Sequence, residues 1–129
     1  MPTLRLPDDT PVVQFDALLE VSPFALFRRL REGRGPRLLD ARPPGGARTL
    51  AGAERLPSDS WEPEATDADI LLFDDDGSLA VPQARRLQAA GFERVRALFG
   101  GLDHYEFALD PQVVGEETFL VDAAPPGGG

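Results

Sequence analysis

The chain has 129 residues, which is enough for one domain built around a single hydrophobic core. Its net charge of −9 argues against nucleic acid and anionic membrane surfaces as partners, since both attract clustered basic residues. The chain contains no cysteine, which excludes disulfides, thiolate metal sites and every mechanism with a cysteine nucleophile.

The first elements are predicted from turn and capping signals. Residues 1–17 are rich in proline and form an N-terminal extension, in which residues 12–15 favour a short edge strand. Residues 18–21 indicate a buried strand. The pair Ser22-Pro23 predicts a helix start, because serine caps the helix and proline suits its first position. This helix should end at Gly33.

The middle of the chain alternates apolar runs with loops. Residues 37–42 indicate a strand that ends in polar side chains, and residues 43–46 a loop. A short strand is predicted within 53–57, followed by an acidic loop over 58–69. The continuous apolar run 70–73 is the clearest buried strand, of the kind found in parallel sheets.

The last part begins with a polar turn over residues 74–78. A helix is then predicted from Pro82 to Gly91, with Ala84, Leu87 and Ala90 facing the core. The remaining predicted elements are a strand within 92–99, a short helix over 102–108, an edge strand over 117–121 and a loose tail over 125–129.

This alternation of strands and helices with short connections predicts an α/β domain with a parallel sheet. Ligands of such sheets bind at the carboxyl ends of the strands. Two polar segments, Asp40 to Arg42 and Asp74 to Ser78, follow predicted strands and should therefore lie at that edge.

Four fragments of the sequence carry a resemblance to a known family. They are Leu38-Leu39-Asp40-Ala41-Arg42, Gly52-Ala53-Glu54-Arg55-Leu56-Pro57, Ala90-Gly91-Phe92-Glu93-Arg94-Val95, and Gly100-Gly101 with Tyr105. In this order they resemble the rhodanese-like family over residues 18–110. The resemblance implies a three-layer α/β domain, with a central, mostly parallel, five-stranded sheet and helices on both faces. Residues 1–17 and 111–129 are then N- and C-terminal extensions.

The resemblance also implies where the family's catalytic loop falls. Aligning back from Gly91-Phe92 without a gap puts Asp74 in the place of the catalytic cysteine. A carboxylate cannot form a persulfide, so the resemblance implies an inactive sulfurtransferase homologue. The degenerate active-site loop comprises Asp74, Asp75, Asp76, Gly77, Ser78, Leu79 and Ala80, in which Leu79-Ala80 stand where the family often has Arg-Ser.

Three interpretations of Asp74 remain open at this point. Its carboxylate can occupy the family's cradle of backbone N–H groups as an internal anion that caps loop and helix, which is the interpretation we favour. Asp74, Asp75 and Asp76 can bind a metal ion, although hard cations require six or more oxygens. The loop can also be solvated, with no particular role, or contact a partner.

A competing resemblance concerns residues 70–79, which are similar to the first motif of the haloacid-dehalogenase phosphatases. There Asp74 would accept the phosphoryl group and Asp76 would act as general acid/base, with magnesium between the phosphate and the carboxylates. Two predicted strands precede the motif, only 50 residues follow Leu79, and the chain has no lysine for the family's downstream position.

Other side chains have structural interpretations. Asp40 and Arg42 are expected to support the loops above the sheet through hydrogen bonds or an ion pair. His104, the only histidine, is expected at the surface. Trp61 is expected to cover the core rather than to anchor a partner. Solvated positions on the first helix are predicted for Arg28, Arg29 and Arg31.

The sequence thus predicts a non-catalytic binding or regulatory module for an unidentified protein or small ligand, without a cofactor or metal. The alternatives are magnesium-dependent phosphoryl transfer at Asp74 and a structural domain that self-associates. No segment is typical of a signal peptide or membrane span, so the cytoplasm is expected. Arginine supplies all 13 basic residues, with 13 Pro and 13 Gly, which favours a high-GC bacterium over a heat-adapted host.

Overall fold

A computed structural model describes residues 15–43 and 46–122 of the chain. The elements in this part alternate between strands and helices along most of its length. They are β1 (Glu20–Val21), α1 (Pro23–Arg31), β2 (Arg37–Asp40), β3 (Arg48–Leu50), β4 (Glu54–Arg55), β5 (Ile70–Phe73), α2 (Ala80–Ala89), β6 (Val95–Leu98), α3 (Gly101–Ala108), α4 (Pro111–Val114) and β7 (Leu120–Asp122).

Five strands form the central sheet, in the order β1-β6-β5-β2-β4, and every neighbouring pair is parallel. Strand β5 lies in the middle and all four of its residues are buried, as the apolar run predicted. The predicted α/β class with a five-stranded parallel sheet is therefore confirmed. Since the strands are parallel, the segments after β2 and β5 meet at one edge.

Two hydrophobic clusters cover the two faces of this sheet. Leu39 and Leu72 point to the face covered by α2, where they pack with Leu87. Leu38 and Leu71 point to the opposite face, which is covered by α1 and α3. Neighbouring residues of one strand thus serve opposite layers, as the pleat requires.

Helix α1 begins as predicted, and its end differs slightly. The Ser22 hydroxyl accepts a hydrogen bond from the Ala25 N–H at 3.2 Å, and Pro23 is the first helical residue. The helix ends at Arg31, and Gly33 follows with φ = 73°.

Helix α2 starts earlier than predicted, at Ala80 instead of Pro82. The N–H groups of Leu79 and Ala80 are already bound by the Asp74 side chain, so the helix needs no conventional cap on Leu79. Ala84 and Leu87 are buried as expected, but the inward position of Ala90 was wrong. Ala90 is the exposed C-cap, and its N–H donates to the Arg86 carbonyl.

The C-terminal strand also differs from the prediction. Strand β7 overlaps the expected region 117–121, yet it does not extend the central sheet. It pairs antiparallel with β3, which was not predicted, and Thr49 faces Val121 in this two-stranded ribbon. Helix α4 was missed too, although Asp110-Pro111 repeats the cap-and-proline signal of Ser22-Pro23.

Some predictions fall outside the described residues. These are most of the N-terminal edge strand (12–15), the tail 125–129 and two residues of the loop 43–46. Phe15, which is described, is not in a strand. Among the described residues, no helix is long and apolar enough to cross a membrane.

Candidate functional site

The segment 74–80, here called the Asp74 loop, connects β5 to α2 at the carboxyl edge of the sheet. Asp74 is only 1% exposed, and both of its carboxylate oxygens accept backbone hydrogen bonds. Its Oδ1 accepts from Gly77 N–H at 2.5 Å, and its Oδ2 accepts from Leu79 and Ala80 N–H at 2.6 and 3.1 Å. The carboxylate therefore acts as an anion at the start of α2.

Helix α3 holds the same loop from the other side. Leu102 N–H donates to the Asp74 carbonyl at 2.8 Å, and Asp103 N–H donates to the Asp75 carbonyl at 2.9 Å. Gly101 makes this close approach possible: a Cβ there would lie 2.5 Å from both Asp75 O and Asp76 N. The start of α3 thus supplies donors to the loop backbone, while the start of α2 supplies donors to the Asp74 side chain.

Arg42 connects β2 to the Asp74 loop. Its side chain is 6% exposed and forms a two-pronged ion pair with Asp40, with Nε and Nη2 2.9–3.0 Å from the carboxylate oxygens. Its Nη1 also donates to Asp75 Oδ1 at 2.9 Å, and Nη2 donates to the Arg48 carbonyl. Hydrogen bonding to Asp40 is the main cause that raises the pKa of Arg42 above its usual value. The expected ion pair of Asp40 and Arg42 is present and reaches the loop.

The outer side chains of the loop are mostly exposed. Asp76 Oδ1 accepts from Ser78 N–H at 2.9 Å and from the Ser78 hydroxyl at 2.6 Å, and these bonds lower the pKa of Asp76. Leu79 is 45% exposed and Ala80 is buried. The loop therefore presents the exposed side chains of Asp75, Asp76 and Leu79, and Arg42 contacts the first of them.

The remaining predicted residues lie apart from the Asp74 carboxylate. His104 is exposed on α3 with its ring 5.4 Å from that of Phe99. Trp61 is partly buried against the cluster under α2, as expected of a core lid. Arg28 and Arg31 are exposed, whereas Arg29 is only partly exposed because it pairs with Asp69.

The arrangement does not suit the alternative chemistry at Asp74. A phosphoryl-accepting carboxylate needs an accessible oxygen, and both oxygens of Asp74 are buried and bound to N–H groups. A metal site at Asp74, Asp75 and Asp76 lacks support too. Within residues 15–43 and 46–122, no group of three His, Cys, Asp or Glu side chains could hold a metal ion.

Sequence reasoning missed two features of this edge. Arg42 connects the segments that follow β2 and β5, because it donates to Asp75, which lies 33 residues away in the sequence. Glu20, the first residue of β1, and Phe99, which follows β6, line a pocket beside the loop. The signal was available for Phe99, because it precedes Gly100-Gly101 at the carboxyl end of a predicted strand.

Comparisons with solved structures agree with this fold. No protein-family model and no curated protein matches the sequence. Among solved structures, a thiosulfate sulfurtransferase from Pseudomonas aeruginosa is 28% identical over 70% of this chain with a TM-score of 0.59, but the match spans only 19% of that protein. A rhodanese-like domain from Anabaena is 24% identical, covering 69% of this chain and 74% of that one, with a TM-score of 0.58.

A rhodanese-related protein from Thermoplasma volcanium has a similar fold despite 14% identity. The match covers 80% of this chain and 97% of that protein, with a TM-score of 0.57. The fold is therefore that of a rhodanese-like domain. The absence of cysteine from the sequence fits an inactive member of this class.

Proposed function

We propose that the chain is a non-catalytic rhodanese-like module that binds a partner or ligand at the carboxyl edge of its sheet. The observation that carries this proposal is the Asp74 carboxylate, which fills the N–H cradle at the start of α2. Sulfur transfer needs a thiolate that accepts sulfane sulfur, and a carboxylate cannot do so. In this chain the N–H groups of the cradle hold the Asp74 side chain in place.

Two further features support the proposal, one for the binding role and one for the absence of sulfur transfer. The Asp74 loop is held by α3 and by Arg42, so its exposed carboxylates keep fixed positions. A preorganised surface loses less entropy on binding than a mobile one. Asp75 and Asp76 would repel thiosulfate, and Leu79 supplies no cation to offset that repulsion.

Assays of sulfur transfer from thiosulfate to cyanide test the non-catalytic part of the proposal. The wild-type chain should form no thiocyanate above the buffer rate. Asp74→Cys should remain inactive or nearly so, because Leu79-Ala80 do not rebuild an anion site around the new thiol. Asp67→Cys is the matched control, since it places a thiol on an exposed loop remote from the cradle.

A wild-type rate above buffer would refute the non-catalytic function. An Asp74→Cys rate far above that of Asp67→Cys would show that the loop still supports sulfur transfer, contrary to our interpretation of Leu79-Ala80. Self-association, the remaining structural alternative, stays a prediction, and sedimentation velocity over a range of concentrations would test it.

A further inference from the structure

A pocket of about 540 Å³ opens beside the Asp74 loop, at the carboxyl ends of β1 and β6. Its walls come from three parts of the chain: β1, the turn into α2, and the junction between β6 and α3. Pockets that hold small molecules in proteins span about 300 to 1,000 Å³. The size and position of this pocket therefore suit a small ligand.

The polar lining of the pocket is acidic. Asp76 and Glu20 both line it, and no arginine is among the described residues that do so. Asp76 Oδ1 is occupied by Ser78, and Glu20 Oε1 accepts from Asp16 N–H. Within the described part of the chain, the second oxygen of each carboxylate has no hydrogen-bond donor. These two oxygens are the acceptors that we assign to a donor on a ligand.

The rest of the lining is largely apolar. It includes Phe99, Val81 and His104. The Phe99 ring is held by an edge-on contact with Phe15, 5.3 Å between centroids, and by the neighbouring His104 ring. A fixed aromatic wall favours an apolar ligand body and attracts a cation that approaches its face.

We propose that this pocket binds a small organic cation, namely an amine with an apolar body, between the carboxylates of Glu20 and Asp76 and the ring of Phe99. The proposal rests on the proposed binding function and names its ligand class. A free small molecule fits better than a peptide, because the pocket is discrete and its polar groups suit a single charged donor. The lowered pKa of Asp76 keeps one of the two carboxylates ionised in mildly acidic solution.

The test is a titration of ¹⁵N-labelled full chain with 2-phenylethylamine, followed by amide NMR signals. We expect shifts at Gly77 and Gly100, and binding about tenfold tighter than for 2-phenylethanol, which has the same body without charge. Glu20→Gln and Asp76→Asn should each weaken amine binding by about threefold, and the double variant by about tenfold, with little effect on the alcohol.

Asp67→Asn is the matched control, because it removes one negative charge at an exposed position that does not line the pocket. It should bind the amine as the wild type does. Equal affinity for amine and alcohol, equal loss in Asp67→Asn, or unchanged binding in the double variant would each overturn the proposal. So would binding of an arginine-containing peptide but not the amine, which would indicate a protein-docking surface. The sulfur-transfer assay is independent of all these outcomes.

Discussion

Asp74 is a buried carboxylate whose hydrogen bonds are supplied by the backbone of its own loop. A carboxylate that is 1% exposed requires donors for both oxygens, and three backbone N–H groups supply them. We propose that this position corresponds to the family's catalytic cysteine. Here the N–H groups bind a carboxylate, which acts as an internal helix cap.

Asp74→Asn should lower the free energy of unfolding by about 2 kcal/mol, because the new NH₂ group faces backbone N–H donors and leaves them unsatisfied. Urea unfolding followed by circular dichroism measures the change. Asp67→Asn, the exposed counterpart, should change stability by less than about 0.5 kcal/mol. Equal stability of the two variants would mean that the cradle does not need an anion.

Arg42 carries the second residue-scale prediction. Arg42→Met should cost about 3 kcal/mol, because it leaves Asp40 almost buried and without its guanidinium. Arg34→Met is the control: its ion pair with Glu32 is exposed, so its loss should cost less than about 1 kcal/mol. Chemical denaturation compares the two, and a similar loss in both would contradict a structural role for Arg42.

At the scale of elements, the start of α3 fixes the Asp74 loop through Gly101. Its φ of 65° is unfavourable for other residues, and a Cβ would collide with the backbone of Asp75 and Asp76. Gly101→Ala should therefore destabilise the chain by more than about 3 kcal/mol and shift the NMR signals of the whole loop.

Gly52→Ala separates the two causes. Gly52 has φ = 79°, but a Cβ there would meet no atom of the described residues within 4 Å. Its substitution should cost only the backbone strain, about 1 to 2 kcal/mol. If Gly101→Ala were no worse than Gly52→Ala, the contact between α3 and the loop would be adaptable.

Elements with local signals could be predicted from the sequence. The Ser22-Pro23 start of α1 and the apolar run of β5 need only their own residues, and both were found. Strand β3 could not be found in this way, because only Leu50 of its three residues is buried and its partner β7 lies about 70 residues away. The early start of α2 likewise depends on a side chain six residues before it.

The candidate site was predictable to a similar extent. The rule for parallel sheets predicted that the polar segments after β2 and β5 lie next to each other. The resemblance predicted the place of Asp74 in the loop. The contact of Arg42 with Asp75 and the approach of Gly101 could not be derived, since they depend on how the segments meet in three dimensions. The spacing of charged residues along the sequence does not show which of them form ion pairs across the fold.

At the scale of the whole molecule, the composition leaves a single side chain that titrates at moderately alkaline pH. The chain has no Lys, no Cys and a single tyrosine, so Tyr105 is the only side chain expected to titrate between about pH 9 and 11. Burial raises the pKa of Tyr105, whose hydroxyl donates to the Thr118 carbonyl. In that range the unfolded chain loses a proton that the folded chain keeps.

Folding stability should therefore change little between about pH 8 and 9 and fall above about pH 10, by about 1.4 kcal/mol per pH unit. Urea unfolding at pH 8, 9, 10 and 11 measures this slope. Tyr105→Phe should be about 1 kcal/mol less stable at pH 8, because the hydrogen bond is lost, and should show no alkaline slope. A slope that persists in Tyr105→Phe would assign the effect to another group.

The Asp74 carboxylate can also be regarded as a tethered ligand. It is joined by the chain to the cradle that it fills, so its effective concentration there is set by a few covalent bonds and not by the solution. A free anion would have to compete with an occupant that never diffuses away. The Asp74 loop should consequently keep one conformation at any phosphate or sulfate concentration, which makes the surface around Asp76 permanently available.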